Sequence, residues 1–404
     1  MANTTLTNDL ALKEAQVTFR NNTQFVNTLT PTYDDTYMDR GTKAGASLRL
    51  ATPKEFTVGS GATLTTQDNE EKAVTFTKAT QNHIGVVFTS AELTQDLSLI
   101  SKTIIAPAMA TLASSVENQA LSNIYKGVYN APTIPGATLD RDDVLGAGVE
   151  LDLGTAPRDG SRCTLFEPRG MSEMVSDSSA LFNPSKIISS QYEDGIFDAP
   201  ALGFKVAMSN NVAEHTTGLF TTGSTPLMNG STSSGATTVV TDGWAVSTAA
   251  IKAGDIFTIA GVNSVNPLTK QSNGELQKFV ATADGTSDGS GDLTISISPA
   301  IISTGSYQNV DALPADNAAI TPYGVESTAY RQALSYHPNF ATFGTCDLEL
   351  PSATGAEASR SVEDGISMRI ASQYDITTDK TYTRFDILHG SAIVIPRFGA
   401  RIYS

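Results

Sequence analysis

Four histidines, two cysteines and one aspartate-rich turn are the residues of this 404-residue chain whose types could do chemistry. A histidine acting as general base or metal ligand needs a polar partner within reach, and close spacing is the form in which a sequence shows it. His83, His215, His337 and His389 show none: the nearest two, His337 and His389, stand 52 positions apart. Each reads as a core or surface histidine. Cys163 and Cys346 are remote from one another, against both a disulfide framework and a cysteine-held zinc, and read as buried, reduced residues.

The turn Gly285-Thr286-Ser287-Asp288-Gly289 has the letters of a nucleophile elbow. That device needs a strand before it and a helix after it, and here a strand pattern follows. The same stretch sets Asp284, Thr286, Asp288, Gly289 and Asp292 in the register of a calcium loop. Its closing position is Ile295, where a bidentate glutamate is required, so a hairpin turn is the better account. No phosphate-binding loop, dinucleotide fingerprint or HExxH occurs. The reading therefore assigns no catalytic residue, no cofactor and no metal: the chain is not read as an enzyme.

Bulk composition narrows the classes further. The formal charge is −16, from 26 basic against 42 acidic residues, and no basic cluster could release counterions from a phosphate backbone, which argues against tight direct nucleic-acid binding. Acidity at this level favours solubility and repulsion between copies. With 40% hydrophobic and 17% charged residues there is material for real cores, yet no apolar run approaches the roughly 20 residues of a membrane helix. The opening MANTTLTND has neither a basic nor an apolar signal region, so classical export is not expected.

The elements that must position these residues are most legible in residues 47–126. Phe56 and Val58 going out, Val74 and Phe76 returning, and Ile84, Val86 and Phe88 leading back predict a long hairpin. Its charged tip includes Asp68, Glu70, Glu71 and Lys72. A two-stranded ribbon is marginal in water, so its expected partner is another molecule; a β-meander within one domain is the alternative. Thr89 and Glu92 form the letters of a capping box. Leu93, Leu97, Ile100, Ile104, Ala108, Leu112, Val116, Ala120 and Ile124 then follow one helical face. Lys126-Gly127 is the stop, and Pro107 should bend the helix near Ile104 without ending it.

Residues 1–46 open on a helical pattern with Leu10, Val17 and Phe25 among its apolar positions, and read as an arm. Residues 140–220 mix a strand at 163–166, a helix after Pro168 and a polar loop at 176–179. Residues 223–318 are rich in Gly, Ser, Thr and Asp. Their alternating strands at 237–241, 255–260, 276–283 and 293–298 read as a small β-barrel inserted into an α+β host. Strands at 365–371, 381–388 and 392–402 close the chain.

In this order the elements resemble the major capsid proteins of tailed bacteriophages, above all the coat proteins of short-tailed phages. Thr52-Pro-Lys-Glu-Phe56-Thr-Val, then Asn82-His83-Ile-Gly-Val-Val-Phe88-Thr-Ser-Ala-Glu92-Leu, are similar to that family's extended loop and the start of its spine. Residues 105–117 resemble the spine, 252–262 the opening of the inserted barrel, and 332–340 with 348–351 the return to the body. The resemblance implies an α+β, Hong Kong 97-like capsid fold. Its divisions would be an N-terminal arm 1–46, an extended loop 47–88, a spine helix 89–127, a P- and A-domain part 128–222, an inserted barrel 223–318 and a closing part 319–404.

It also implies a structural protein of the virion that self-assembles into an icosahedral head of pentamers and hexamers enclosing double-stranded DNA. A scaffolding protein and a portal would be partners, with assembly in the host cytoplasm. On the physical side, the hairpin should cross to a neighbouring subunit, with Arg49, Lys54, Phe56, Glu70, Glu71 and Lys72 as contact candidates and each exposed ion pair worth about 0–1 kcal/mol. The rival reading is a β-rich surface adhesin or other secreted binding protein.

Overall fold

A computed structural model describes residues 8–31, 47–59, 61–62, 64, 66–67, 72–77, 80–89, 101–132, 138–178, 202–220, 225–351 and 357–403. They form two compact units.

The first unit draws on residues 1–50, 74–121 and 341–392. Its sheet runs Thr30–Pro31, Ala341–Cys346, Lys380–Ile393, Ile366–Asp375, Glu357–Glu363, and Thr80–Thr89 also pairs with the long strand Lys380–Ile393. That pairing is antiparallel and unbroken from Thr80 opposite His389 to Thr89 opposite Lys380. The helix Asn8–Asn22 packs on this sheet, burying Ala11, Leu12, Ala15, Gln16 and Phe19. Gln16 donates to the carbonyl of Ser361 at 2.8 Å. The expected apolar positions need correcting: Leu10 and Val17 are 37% and 46% exposed. Leu12 and Phe19 line the buried face instead, with Ala11 and Ala15 between them. Gln24 gives the short helix Phe25–Thr28 no side-chain cap; the buried Glu117 carboxylate does so, accepting from the amides of Gln24 and Phe25 at 3.2 and 2.6 Å.

The spine differs from expectation at its start. Thr89 ends a strand, and Glu92, Leu93, Leu97 and Ile100 lie outside the described residues. A π-helical turn, Ser101–Ile105, leads into the α-helix Ala106–Ile124, which a 3-10 turn, Tyr125–Gly127, finishes. Ala108, Leu112, Val116, Ala120 and Ile124 are buried, so the stripe read from the sequence is the face the helix packs.

His389 sits within the central strand, stacked on Phe343 with ring centroids 5.6 Å apart, and its Nε2 has no hydrogen-bond partner among the described residues. Burial pushes its pKa down from 6.5 to about 4. An unfolded chain therefore binds a proton that the folded one refuses, and stability falls as pH drops through that window. The expected loss is roughly 3 kcal/mol. His389→Phe should flatten that part of the profile in urea titrations between pH 7 and 4.

The second unit draws on residues 51–73, 122–340 and 393–404. Its body holds a sheet in the order Gly399–Tyr403, Gln332–Tyr336, Cys163–Phe166, Lys205–Met208. The last pair is parallel and the others antiparallel. Cys163–Phe166 is buried along its whole length, as its apolar run requires. The helix Arg141–Leu153 begins at a capping box of Asp140 and Asp143, and the helix Pro168–Ser178 replaces most of the expected polar loop at 176–179. Residues 392–402 are not one strand either: Pro396 opens a 3-10 turn, Pro396–Phe398, because proline suits a first helical position.

The inserted barrel is antiparallel throughout, in the order Ile320–Pro322, Ile256–Val265, Ser272–Ala281, Leu293–Ile301, Ala236–Asp242, Leu227–Met228. A bridge between Leu227 and Ala319, with the Met228 amide donating to Ala318 at 2.9 Å, brings its two edge strands together. Phe220, Trp244, Phe257, Ile259, Phe279 and Ile295 fill it. Ala236–Asp242 and Leu293–Ile301 alternate because one face is interior and the other wet, whereas residues 256–259 are buried at every position.

Outside these three sheets, Ser47–Ala51 pairs with Ala73–Thr77. The outgoing arm is thus shorter than read: Phe56 and Val58 lie beyond the strand, 61% and 94% exposed.

Candidate assembly surface and barrel seat

The residues that could have done chemistry are individually occupied by structural work. His83 is exposed on its strand. His337 Nε2 lies 3.0 Å from Ser161 Oγ and 3.2 Å from Asp159 Oδ2, while Nδ1 accepts from the Asn339 amide at 3.2 Å. A serine-histidine-aspartate relay needs serine and aspartate on opposite ring nitrogens; here they share one, so the group clamps a loop and generates no nucleophile. Hydrogen bonds from the Ser161 hydroxyl and amide, then from His337, hold the Asp159 carboxyl far below the usual range.

In the aspartate-rich turn, Asp288 accepts from the amides of Ser290 and Asp292 at 2.8 and 2.9 Å, and Asp284 accepts from Ala253. Those carboxylates shape the hairpin. No group of three metal-ligating side chains occurs among the described residues. Cys163 and Cys346 are free thiols, both buried.

The seat of the barrel on the body is where buried charge gathers. Asp255, just ahead of the strand Ile256–Val265, accepts from His215 Nε2 at 2.8 Å and from the amides of Gly218 and Lys252 at 3.0 and 2.7 Å. Burial holds His215 below its ordinary range, the Asp255 hydrogen bond pulls the other way and Arg401 reinforces the lowering. Arg401, on the body strand Gly399–Tyr403, is fully buried and donates to the Gly254 carbonyl. Its guanidinium lies 4.7 Å from the centroid of Tyr403 and 5.6 Å from that of Tyr125, which recovers part of its lost hydration. Beside it Ile256 and Val280 of the barrel pack with Ala131, Tyr330 and Tyr403 of the body. Lys278 pairs with Glu150 of the helix Arg141–Leu153, both nearly buried.

Two of the predicted contact residues can be followed at the foot of the hairpin. Lys54 is exposed, and Lys72 holds its ammonium 3.7 Å above the centroid of the Tyr307 ring. Arg49 lies in the strand Ser47–Ala51, Glu70 and Glu71 lie outside the described residues, and Phe56 stands in solvent. Between Lys54 and Phe56, the sequence reading passed over Glu55, which pairs with Lys270 of a barrel hairpin at 3.0 Å and with Arg397 of the closing 3-10 turn. Its only sequence signal is a carboxylate among charged neighbours. Arg401 had a clearer one, a lone charge in the otherwise apolar strand GARIY.

The family model described as P22 coat protein, gene protein 5, matches residues 130–403. The chain belongs to the P22 coat protein family. As a member it is a capsid shell protein of the virion, structural rather than enzymatic, and assembles with copies of itself. The fold is α+β with an inserted barrel, as the sequence led one to expect. Among solved structures, the chain is similar to the isolated CUS-3 coat protein I-domain at 31% identity, over 25% of this chain and 96% of that one, with a TM-score of 0.20. A Mycobacterium phage Che8 chain matches at 11% identity over 94% of this chain and 90% of that one, TM-score 0.44. A chain of the cyanophage P-SCSP1u capsid matches at 10% identity over 94% and 88%, TM-score 0.43. Beside the family match these likenesses carry no weight. A comparison with curated proteins found no match.

Proposed function

We propose that copies of this chain build the icosahedral head of a tailed bacteriophage, in pentamers and hexamers, around packaged double-stranded DNA. The match to the P22 coat protein over residues 130–403 carries the reading. A scaffolding protein and a portal are its assembly partners, and assembly takes place in the host cytoplasm. The charge of −16 suits a wall that confines DNA without gripping it, since tight binding needs cations that displace counterions. Residues 47–88 act as the loop that reaches a neighbouring subunit, through Phe56 and the charges of Arg49, Lys54, Glu70, Glu71 and Lys72. Residues 1–46, 89–127, 128–222, 223–318 and 319–404 divide the remainder into arm, spine, body, barrel and closing part. Electron microscopy of the purified protein, with and without its scaffold, tests this: closed shells are expected, and particles that stay monomeric at every concentration would sink it.

Pro107 is the spine's strain point on this reading, its ring and missing N–H placed just after the π-helical turn Ser101–Ile105. Pro107→Ala should stiffen the spine and slow heat-driven shell expansion by about tenfold, the factor carried by ~1.4 kcal/mol. Expansion at the wild-type rate, followed by native gel mobility, would remove Pro107 from the mechanism.

A further inference from the structure

The sequence holds two Asn-Gly pairs, Asn229-Gly230 and Asn273-Gly274, both on the inserted barrel. Such a pair can rearrange without an enzyme, the backbone nitrogen of the second residue attacking the side-chain carbonyl of the first, and glycine puts no Cβ in the way. Both glycines hold a left-handed backbone, with φ of 82° and 75°. A Cβ built on either would meet no atom within 4 Å. By residue type and by glycine backbone the two sites are equivalent.

They differ in what holds the attacking nitrogen. Gly230 donates its N–H to the Asp316 carboxylate at 2.8 Å, a charge-assisted bond that keeps the proton in place and turns the nitrogen away from Asn229. The Asn229 amide is tied as well, to the Val240 carbonyl at 2.9 Å. Gly274 instead has the Ser272 hydroxyl at 3.4 Å, beyond the roughly 2.7–3.2 Å of a sound N–H···O bond. The strand register skips the site too: Val265 pairs with Ser272 and Asn263 with Leu276, so residues 273–275 bulge opposite Ser264. The departing nitrogen, Asn273 Nδ2, is held just as loosely, 3.4 Å from Ser264 Oγ. Solvent access favours the other site, since Asn229 is exposed and Asn273 half-buried. The bond to Asp316 outweighs it, because attack cannot begin while the nitrogen is committed elsewhere.

We propose that Asn273 is a spontaneous modification site, a one-way timer in the barrel hairpin, and that Asp316 keeps Asn229 from becoming a second one. The Gly274 nitrogen gives its proton to base and bonds to Asn273 Cγ. The Cγ–Nδ2 bond breaks, ammonia leaves and a succinimide closes. Water then opens the ring at either carbonyl, giving aspartate or isoaspartate. Each event adds a carboxylate to a chain of −16, in the hairpin that carries Lys270, the partner of Glu55 at the foot of the extended loop. The isoaspartate product also reroutes the backbone through the side-chain methylene inside the bulge. This chemistry needs no neighbouring subunit, so it goes beyond the coat-shell reading and does not rest on it.

Peptide mapping by mass spectrometry, on folded protein aged at mildly alkaline pH, tests this. Aspartate and isoaspartate should accumulate at Asn273 about tenfold faster than at Asn229, the factor that ~1.4 kcal/mol of hydrogen bonding carries. In urea, where neither amide keeps its partner, the two rates should converge. Asp316→Ala should raise the folded-state rate at Asn229 by about the same tenfold, while an unchanged rate at Asn273 in that variant shows that the barrel is still folded. Equal rates at the two sites in the folded protein, or a rate at Asn229 that Asp316→Ala does not move, overturns the proposal.

Discussion

Asp255→Ala is expected to destabilise the second unit by roughly 3–5 kcal/mol, the cost of breaking a buried charge network from one side. The carboxylate accepts from the His215 ring and from the amides of Gly218 and Lys252. Alanine would strand all three donors away from water. It would also remove the nearest negative charge from Arg401, whose Nε and Nη1 have no hydrogen-bond partner among the described residues. Asp255→Asn keeps one carbonyl oxygen and the shape of the site, so it should lose distinctly less. The chain supplies its own reporter: Trp244, the sole tryptophan, is buried in the barrel with its indole N–H donating to Thr241 Oγ1 at 2.7 Å. Its fluorescence should report a lower urea midpoint for the alanine variant. An unmoved midpoint would mean that the barrel is seated by its apolar contacts alone.

The residues of that seat mark the boundary of what the sequence made legible. The barrel strands Ala236–Asp242 and Leu293–Ile301 could be read because each has a single interior face and keeps its period-2 alternation. The spine could be read because its stripe runs in phase. Phe56 and Val58 misled for the same reason: they alternate, but lie beyond the strand Ser47–Ala51 and stand exposed. The helix Asn8–Asn22 differs in another way, since its buried face is Ala11, Leu12, Ala15 and Phe19, and the apolar Leu10 and Val17 stand outside it. Convergent charges were beyond reach altogether. Glu55 and Arg397 stand 342 positions apart, and only tertiary structure brings them together.

Asp386 is where the largest effect on the first unit is expected. Its carboxylate is wholly buried and joins three strands, accepting from Arg369 Nη2 at 2.7 Å, Arg384 Nε at 2.7 Å and Gln81 Nε2 at 3.1 Å. Burial alone would raise its pKa, but the hydrogen bonds from Arg369, Arg384 and Gln81 outweigh it and hold the carboxyl below the ordinary range. A folded pKa below the unfolded one gives stability that is complete above the unfolded value and lost as pH falls through the folded one. This carboxylate therefore adds an acid limb beneath the histidine one. Asp386→Ala should cost roughly 3 kcal/mol, because Arg369, only 16% exposed, loses its carboxylate partner and the buried centre of the network is emptied, and should erase that limb.

The change also removes the anchor of Gln81, so amide exchange should quicken along Thr80–Thr89 in the free subunit. Exchange along residues 81–88 that stays at the wild-type rate would mean that the strand is held by its backbone pairing with Lys380–Ile393 alone.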